Sequence, residues 1–284
     1  MREPDPGVVL GLHRSRYERH LLTGALDLGI RAIDTSFNYL GFRAHEVLAK
    51  VAGDVLGQFR LATKVGYFPA AGRSAHSLAP GRLRTAIEQT NRDLGRTPDL
   101  VFLHNPEDSL HGEPAHARVT LANACNALQE ATAEGLCRAW GVASWKPSLL
   151  LTAVDLTAPR PSVLMTRAGL LVGLETLDAS DALAGIWDIR EANRWGMSPF
   201  GGNATDQIWT EFDPRIFLEE PPSQLSRLQA AFRAAYSLPK VSTVAVGSDN
   251  LAHLRELVEA LRYEVDTDKV LNYRGLLRGR GVAT

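Results

Sequence analysis

Four side chains able to move or steer a proton, Asp34, Tyr39, Lys64 and His104, fall at or just beyond the ends of three apolar runs, residues 31–35, 60–65 and 100–104. A tyrosine is a poor acid at neutral pH because its unperturbed pKa is about 10, but a neighbouring ammonium stabilises the phenolate and lowers that value. Lys64 is expected to act in this way on Tyr39, with Asp34 holding Lys64 charged and in place. His104 can then donate to, or accept from, the same substrate oxygen. Such a group protonates a carbonyl oxygen as a hydride arrives at its carbon. Singly, each residue has an ordinary structural role: an aspartate caps a helix, a tyrosine packs a loop, a lysine is solvated and a histidine is satisfied in a core. Their coincidence on successive strands points to one pocket.

The four converge only if their strands lie side by side with their ends on one face. Eight β-rich runs satisfy this, at residues 8–12, 31–35, 60–65, 100–104, 139–144, 162–166, 196–200 and 241–247, with amphipathic stretches between them. Leu83, Ala86, Ile87, Thr90 and Leu94 form one helix-period stripe, and Leu251, Leu254, Val258 and Leu261 form another. No Pro/Gly/Ser-rich linker interrupts the alternation. The pattern predicts an α/β protein, a (β/α)8 TIM barrel formed as a single domain over residues 1–284, with chemistry at the C-terminal strand ends.

At 45% hydrophobic and 22% charged residues the chain can bury a core and is not disordered. Lys plus Arg total 31 against 32 for Asp plus Glu, so a net charge of −1 gives no field to draw it onto nucleic acid or an anionic membrane. Cys125 and Cys137 form neither a disulfide framework nor a metal-binding spacing. Residues 1–7 lack an apolar signal core and no run is long enough to span a bilayer, so a cytoplasmic location is expected. Residues 203–222, with three prolines, are expected to form a loop above the barrel, and residues 275–284 a frayed end.

These residues resemble the aldo-keto reductase family. Asp34 and Tyr39 sit in an Asp-x4-Tyr segment like the family's, Leu61-Ala-Thr-Lys64 is similar to its lysine strand, and Asp99-Leu-Val-Phe-Leu-His104-Asn-Pro106 to its histidine strand. The segment from Gly135 to Val142 resembles the entry to its fifth strand. Ser198-Pro-Phe-Gly-Gly202 resembles its seventh-strand loop, and Val241-Ser-Thr-Val-Ala-Val-Gly247 with Ser248 its last strand and phosphate-contacting turn. The resemblance implies a nicotinamide cofactor, NADPH or NADH, and a small carbonyl or alcohol substrate. Tyr39 would be the general acid, tuned by Lys64 and Asp34, with His104 orienting the carbonyl. Cofactor contacts would fall to Ser144, Met165, Met197, Ser198, Phe200, Gly202, Gly247, Ser248 and Asp249.

The cofactor positions depart from the family more than the catalytic ones. His13 and Arg14 stand where Gly-Thr is usual, Ala143 and Ser144 where Ser-Asn is usual, Met165 in place of Gln, and Met197 in place of a stacking aromatic. Polar contacts to a carboxamide would be fewer, although the Met197 thioether can pack on a ring. Asp249 stands near a position where an Arg often meets the 2′-phosphate, and Leu257 where an Asn holds adenine. An acid there favours NADH over NADPH; its plainer role is to cap the helix beginning near Leu251. These departures keep a second function open, in which Tyr39 and Lys64 move protons in an elimination or isomerisation without hydride transfer. A metal-dependent hydrolase using His104, His111 and His116 with Glu107, Asp108 and Glu113 is disfavoured, since those ligands share one loop and no metal is expected. A binding module without turnover is the remaining class.

Overall fold

The computed structural model describes residues 7–280, so residues 1–6 and the last four residues of the expected frayed end lie outside it. Eight parallel strands close into a barrel: β1 (Val8–Gly11), β2 (Ala32–Asp34), β3 (Arg60–Val65), β6 (Leu100–His104), β7 (Trp140–Ser144), β8 (Val163–Arg167), β9 (Arg194–Met197) and β10 (Thr243–Val246), the last pairing with β1. The remaining strands, β4 (Tyr67–Ala70) and β5 (Arg73–His76), form an antiparallel hairpin outside the barrel. The helices are α1 (Arg19–Asp27), α2 (Ala44–Ala52), α3 (Pro80–Leu94), α4 (Pro114–Ala133), α5 (Ser148–Leu151), α6 (Leu174–Ile186), α7 (Ile208–Glu211), α8 (Arg227–Ala234), α9 (Leu251–Ala260) and α10 (Thr267–Arg280).

Barrel strands are buried on both faces, so they read as nearly continuous apolar runs. Their two-residue alternation still sorts the side chains. Val9, Ala32, Ala62, Leu100, Phe102, Ala143, Val163, Met165, Trp195, Met197 and Ala245 fill the barrel interior. Val8, Leu10, Ile33, Leu61, Val101, Val142, Leu164 and Val244 face outward into the cores shared with the helices. In α3 the buried residues are the five of the expected stripe; Pro80 opens that helix, and Gly95, in the left-handed region at φ 64°, closes it. In α9 the buried face is Leu254, Leu257 and Ala260, so Leu257 belongs to the core and is not available to hold adenine.

Several boundaries differ from expectation. The strand expected at 196–200 is β9, Arg194–Met197, because Ser198 turns into the left-handed region at φ 55° and ends the extended run. The β4–β5 hairpin was not anticipated. Within 203–222 the loop contains the single turn α7 and a 3-10 turn at Pro214–Phe217, which bury Trp209 and Phe217. The expected frayed end is largely helical, since α10 continues to Arg280. Its glycines disfavour helix on propensity alone, but Tyr273 donates to the Leu170 carbonyl (2.6 Å) and Arg274 bridges Asp178 (2.5 Å) and Asp181 (2.7 Å) on α6. Among the described residues no helix is long and apolar enough to cross a membrane.

Candidate active site

The last inward position of each barrel strand lies two residues beyond the interior core, at the C-terminal mouth. Asp34 follows Ala32, Lys64 follows Ala62 and His104 follows Phe102, so the alternation that packs the core also aims the polar groups at one cavity. Asp34, Tyr39, Lys64 and His104 all line a cavity of about 610 Å³ at this mouth. Tyr39 is delivered by the loop after β2, where Thr35 N donates to the Ala62 carbonyl (2.9 Å) and Phe37 N to the Lys64 carbonyl (2.9 Å). The turn is tight, with Leu40 and Phe42 both at positive φ.

Lys64 is 3% exposed and donates to the Asp34 carboxylate and to the Thr35 carbonyl (3.2 Å). Its ammonium lies 5.6 Å from the centre of the Tyr39 ring. Burial opposes the charge on Lys64, but Asp34 and then Tyr39 outweigh it and hold its pKa above the usual lysine value. Tyr39 behaves differently from the sequence expectation. Burial raises its pKa above the ordinary phenol value, and Lys64 offsets this only in part, so the phenol keeps its proton at neutral pH.

His104 packs edge-on against Tyr39, with ring centres 6.4 Å apart. Burial, followed by the Lys64 charge, holds its pKa well below the ordinary value and leaves the imidazole neutral. Its Nδ1 is 3.1 Å from Ser36 Oγ, which in turn is 2.6 Å from Asn38 Oδ1. This fixes the ring and leaves Nε2 for the cavity. On the other side, the β4–β5 hairpin brings the Tyr67 ring 4.9 Å from that of His104. Gly66, at φ 150°, permits this approach: a Cβ there would meet the His104 carbonyl oxygen and His76 Nε2, each at 2.9 Å. His76 Nε2 lies 2.8 Å from the same carbonyl.

Of the nine residues implied as cofactor contacts, seven line the cavity: Met197, Ser198, Phe200, Gly202, Gly247, Ser248 and Asp249. Ser144 and Met165 are fully buried and outside its lining, Ser144 beside Glu107 and Met165 in the barrel interior. Asp249 does not cap α9. Asn250 does, accepting from Ala252 N (2.9 Å), while Asp249 accepts from Ser15 Oγ (2.8 Å) and Arg16 N (3.2 Å), tying the loop after β10 to the loop after β1.

Between those loops the floor is bare backbone. A Cβ on Gly247 would come within 3.1 Å of the Gly11 carbonyl oxygen, and both glycines line the cavity. Bare backbone, the Ser248 hydroxyl and the N-terminal end of α9 suit the phosphates of a dinucleotide. The residues therefore fit a nicotinamide dinucleotide at its phosphate end, with Met197 as the apolar surface for a ring and few polar groups for a carboxamide.

Beyond the expected catalytic and contact residues, others line the cavity, His13 and Arg14 among them at two of the departing cofactor positions. His13 packs 5.1 Å from the Tyr39 ring, and Arg14, Asn38, Tyr67, Asn105 and Trp145 complete the wall. Of the five tryptophans only Trp145 lines this cavity; Trp195 packs on Phe102 inside the barrel. The signal for Ser36 was its place two residues after Asp34, but its contact with His104 spans two strands and has no local signature. The histidines considered for a metal do not converge: His104 is buried in the barrel mouth, whereas His111 and His116 are exposed. Among the described residues no group of three His, Cys, Asp or Glu side chains can hold a metal ion.

Solved structures share the architecture. An aldo-keto reductase from Bacillus halodurans in its holo form matches with a TM-score of 0.73 and 17% identity, over 95% of this chain and 91% of that one. An aldo/keto reductase from Klebsiella pneumoniae in complex with NADP and acetate matches at 0.69 and 16%, over 96% and 92%. An aldose reductase from Schistosoma japonicum matches at 0.68 and 14%, over 95% and 88%. At these identities the likeness establishes the fold alone. No match was found among curated protein sequences. The model of the aldo/keto reductase family, however, matches residues 14–167, which is more than half of the chain and includes Asp34, Tyr39, Lys64 and His104, and the chain therefore belongs to the aldo/keto reductase family.

Proposed function

We propose that this protein is a nicotinamide-dependent oxidoreductase that interconverts a small carbonyl compound and its alcohol, with Tyr39 as the proton donor. The observation that carries this reading is the convergence of Tyr39, the Lys64–Asp34 ion pair and a neutral His104 on one cavity with a bare-backbone floor. The NADP bound to the related Klebsiella enzyme supports a dinucleotide here. Gly247, Ser248 and the start of α9 would hold its phosphates and Met197 would face its ring; when bound, the cofactor supplies or accepts the hydride.

The chain's own residues handle the proton. Tyr39, protonated at rest because it is buried, gives its proton to the carbonyl oxygen as negative charge develops there. The ammonium of Lys64 then stabilises the phenolate left behind, and Asp34 keeps that ammonium charged. His104, neutral and held by Ser36, hydrogen-bonds the same oxygen and sets its approach to Tyr39. In the alcohol-oxidising direction the same groups act in reverse.

Tyr39→Phe keeps the ring and removes the proton. Its expected effect is a fall of about 10²–10⁴ in kcat for aldehyde reduction, followed by NAD(P)H absorbance; unchanged turnover would remove Tyr39 from the mechanism. A non-redox use of the same residues is favoured by one observation, the absence of Ser144 and Met165 from the cavity wall. Stoichiometric NADH or NADPH oxidation during turnover excludes it, and product formation without cofactor would establish it.

A further inference from the structure

Within the proposed carbonyl-reducing function, one charged residue at the barrel mouth has no task. Arg167 is the last residue of β8, and it keeps the alternation of Val163 and Met165, both of which point into the barrel interior. It therefore takes the next inward position of β8, set behind the cavity wall, of which it is not itself part, and meets that wall through Trp145. Its register partner is Met197, whose side chain lines the cavity. Its guanidinium lies over the ring of Trp145, 5.2 Å from the centroid, and Trp145 is itself part of the cavity wall and 39% exposed.

Lys64 lines the cavity but is neutralised by Asp34. No carboxylate among the described residues lies within ion-pair distance of Arg167, and its Nε is buried without a hydrogen-bond partner. Carboxylates around the mouth are engaged elsewhere: Glu107 accepts from the amides of Trp145 (2.7 Å) and Lys146 (2.9 Å), which fixes the loop carrying Trp145, Asp108 accepts from the Tyr67 hydroxyl, and Asp249 is held by Ser15 and Arg16. A half-buried guanidinium with an unsatisfied donor, braced on an aromatic face beside a substrate cavity, is built to receive a planar anion.

We propose that Arg167, backed by Trp145, is the specificity-determining residue of this site and selects carbonyl substrates that carry a carboxylate. The carboxylate pairs with the guanidinium at the β8–β7 side of the mouth while the carbonyl reaches Tyr39 and His104 on the β2–β6 side. Arg167 is a binding residue and takes no part in proton transfer.

The test compares 4-carboxybenzaldehyde with its methyl ester, which share a carbonyl and differ in charge. The expected result is a preference for the acid of about tenfold or more in kcat/KM, expressed in KM and weakened by added salt. In Arg167→Met, which keeps the length and apolar stem of the side chain, that preference collapses; Arg167→Lys restores part of it. Equal kcat/KM for the two compounds in the unaltered enzyme, or an equal preference in Arg167→Met, overturns the proposal. If neither compound is turned over, the reductase reading fails separately. Binding then decides the anion site: terephthalate should quench tryptophan fluorescence saturably where dimethyl terephthalate does not, and equal or absent quenching by the two overturns it.

Discussion

Lys64→Met separates the electrostatic part of the site from its packing. The substitution conserves length and apolar stem but removes the cation that Asp34 faces, in a setting where Lys64 is 3% and Asp34 6% exposed. Breaking a buried pair from one side costs about 3–5 kcal/mol, because the remaining charge loses its partner and regains no water. For a chain of this size that amounts to a fall in Tm of roughly 10 °C. The sign with pH follows from the same burial. Burial already raises the Asp34 pKa beside Lys64, and without that ammonium it rises further above the unfolded value of about 3.9, so the added penalty is fully present above the variant's folded pKa and is lost as pH falls through it. The gap between variant and parent therefore narrows on acidification. Urea unfolding followed by circular dichroism at several pH values measures it, with Asp34→Asn/Lys64→Met as the control that removes both charges. The double variant should recover most of the loss. A cost below about 1 kcal/mol for Lys64→Met, as for a surface pair, or a double variant no more stable than the single one, would refute the reasoning.

The remaining expectations are narrower. Asp249→Asn removes the acid at the end of the cavity assigned to the phosphates, and the ratio of NADPH to NADH affinity, read by tryptophan quenching, should rise about tenfold; an unchanged ratio would mean that this carboxylate does not face the 2′-phosphate. His45, buried in α2 with Nε2 2.8 Å from Thr63 Oγ1, has its pKa lowered by burial to about 4. The unfolded chain therefore binds a proton that the folded one refuses between about pH 6.5 and pH 4, and stability falls with decreasing pH across that window by up to about 1.4 kcal/mol per unit from this residue. His45→Gln should flatten that slope in urea titrations, and an unaltered slope would assign it to other groups.

The eight strands and the helix stripes of α3 were legible because burial on both faces of a strand, or on one face of a helix, writes a periodic pattern into the chain that needs no partner to be read. The same periodicity placed Asp34, Lys64 and His104 at strand ends, and Tyr39 joined them from its place in the loop directly after the strand that carries Asp34. Where local signals were weak the reading failed. Tyr67–His76 gave no sign of a hairpin, since its two-residue turn, Ala71-Gly72, lacks the usual Asn-Gly or Asp-Gly signal and Pro69 interrupts its first strand. Gly275 and Gly279 argued against a helix that contacts with α6 and Leu170 stabilise.

Residue types and their spacing along the chain thus determined the barrel, the four groups proposed to handle the proton and the cavity face on which they meet. Tertiary structure alone decided their electrical state. Burial outweighs Lys64 in raising the Tyr39 pKa, Ser36 fixes His104 from the loop after β2, and Asp249 turns to Ser15 and Arg16 instead of capping α9. The ionisation of a group depends on the dielectric and charges around it in space, and contacts between residues separated by tens or hundreds of positions leave no periodic trace in sequence.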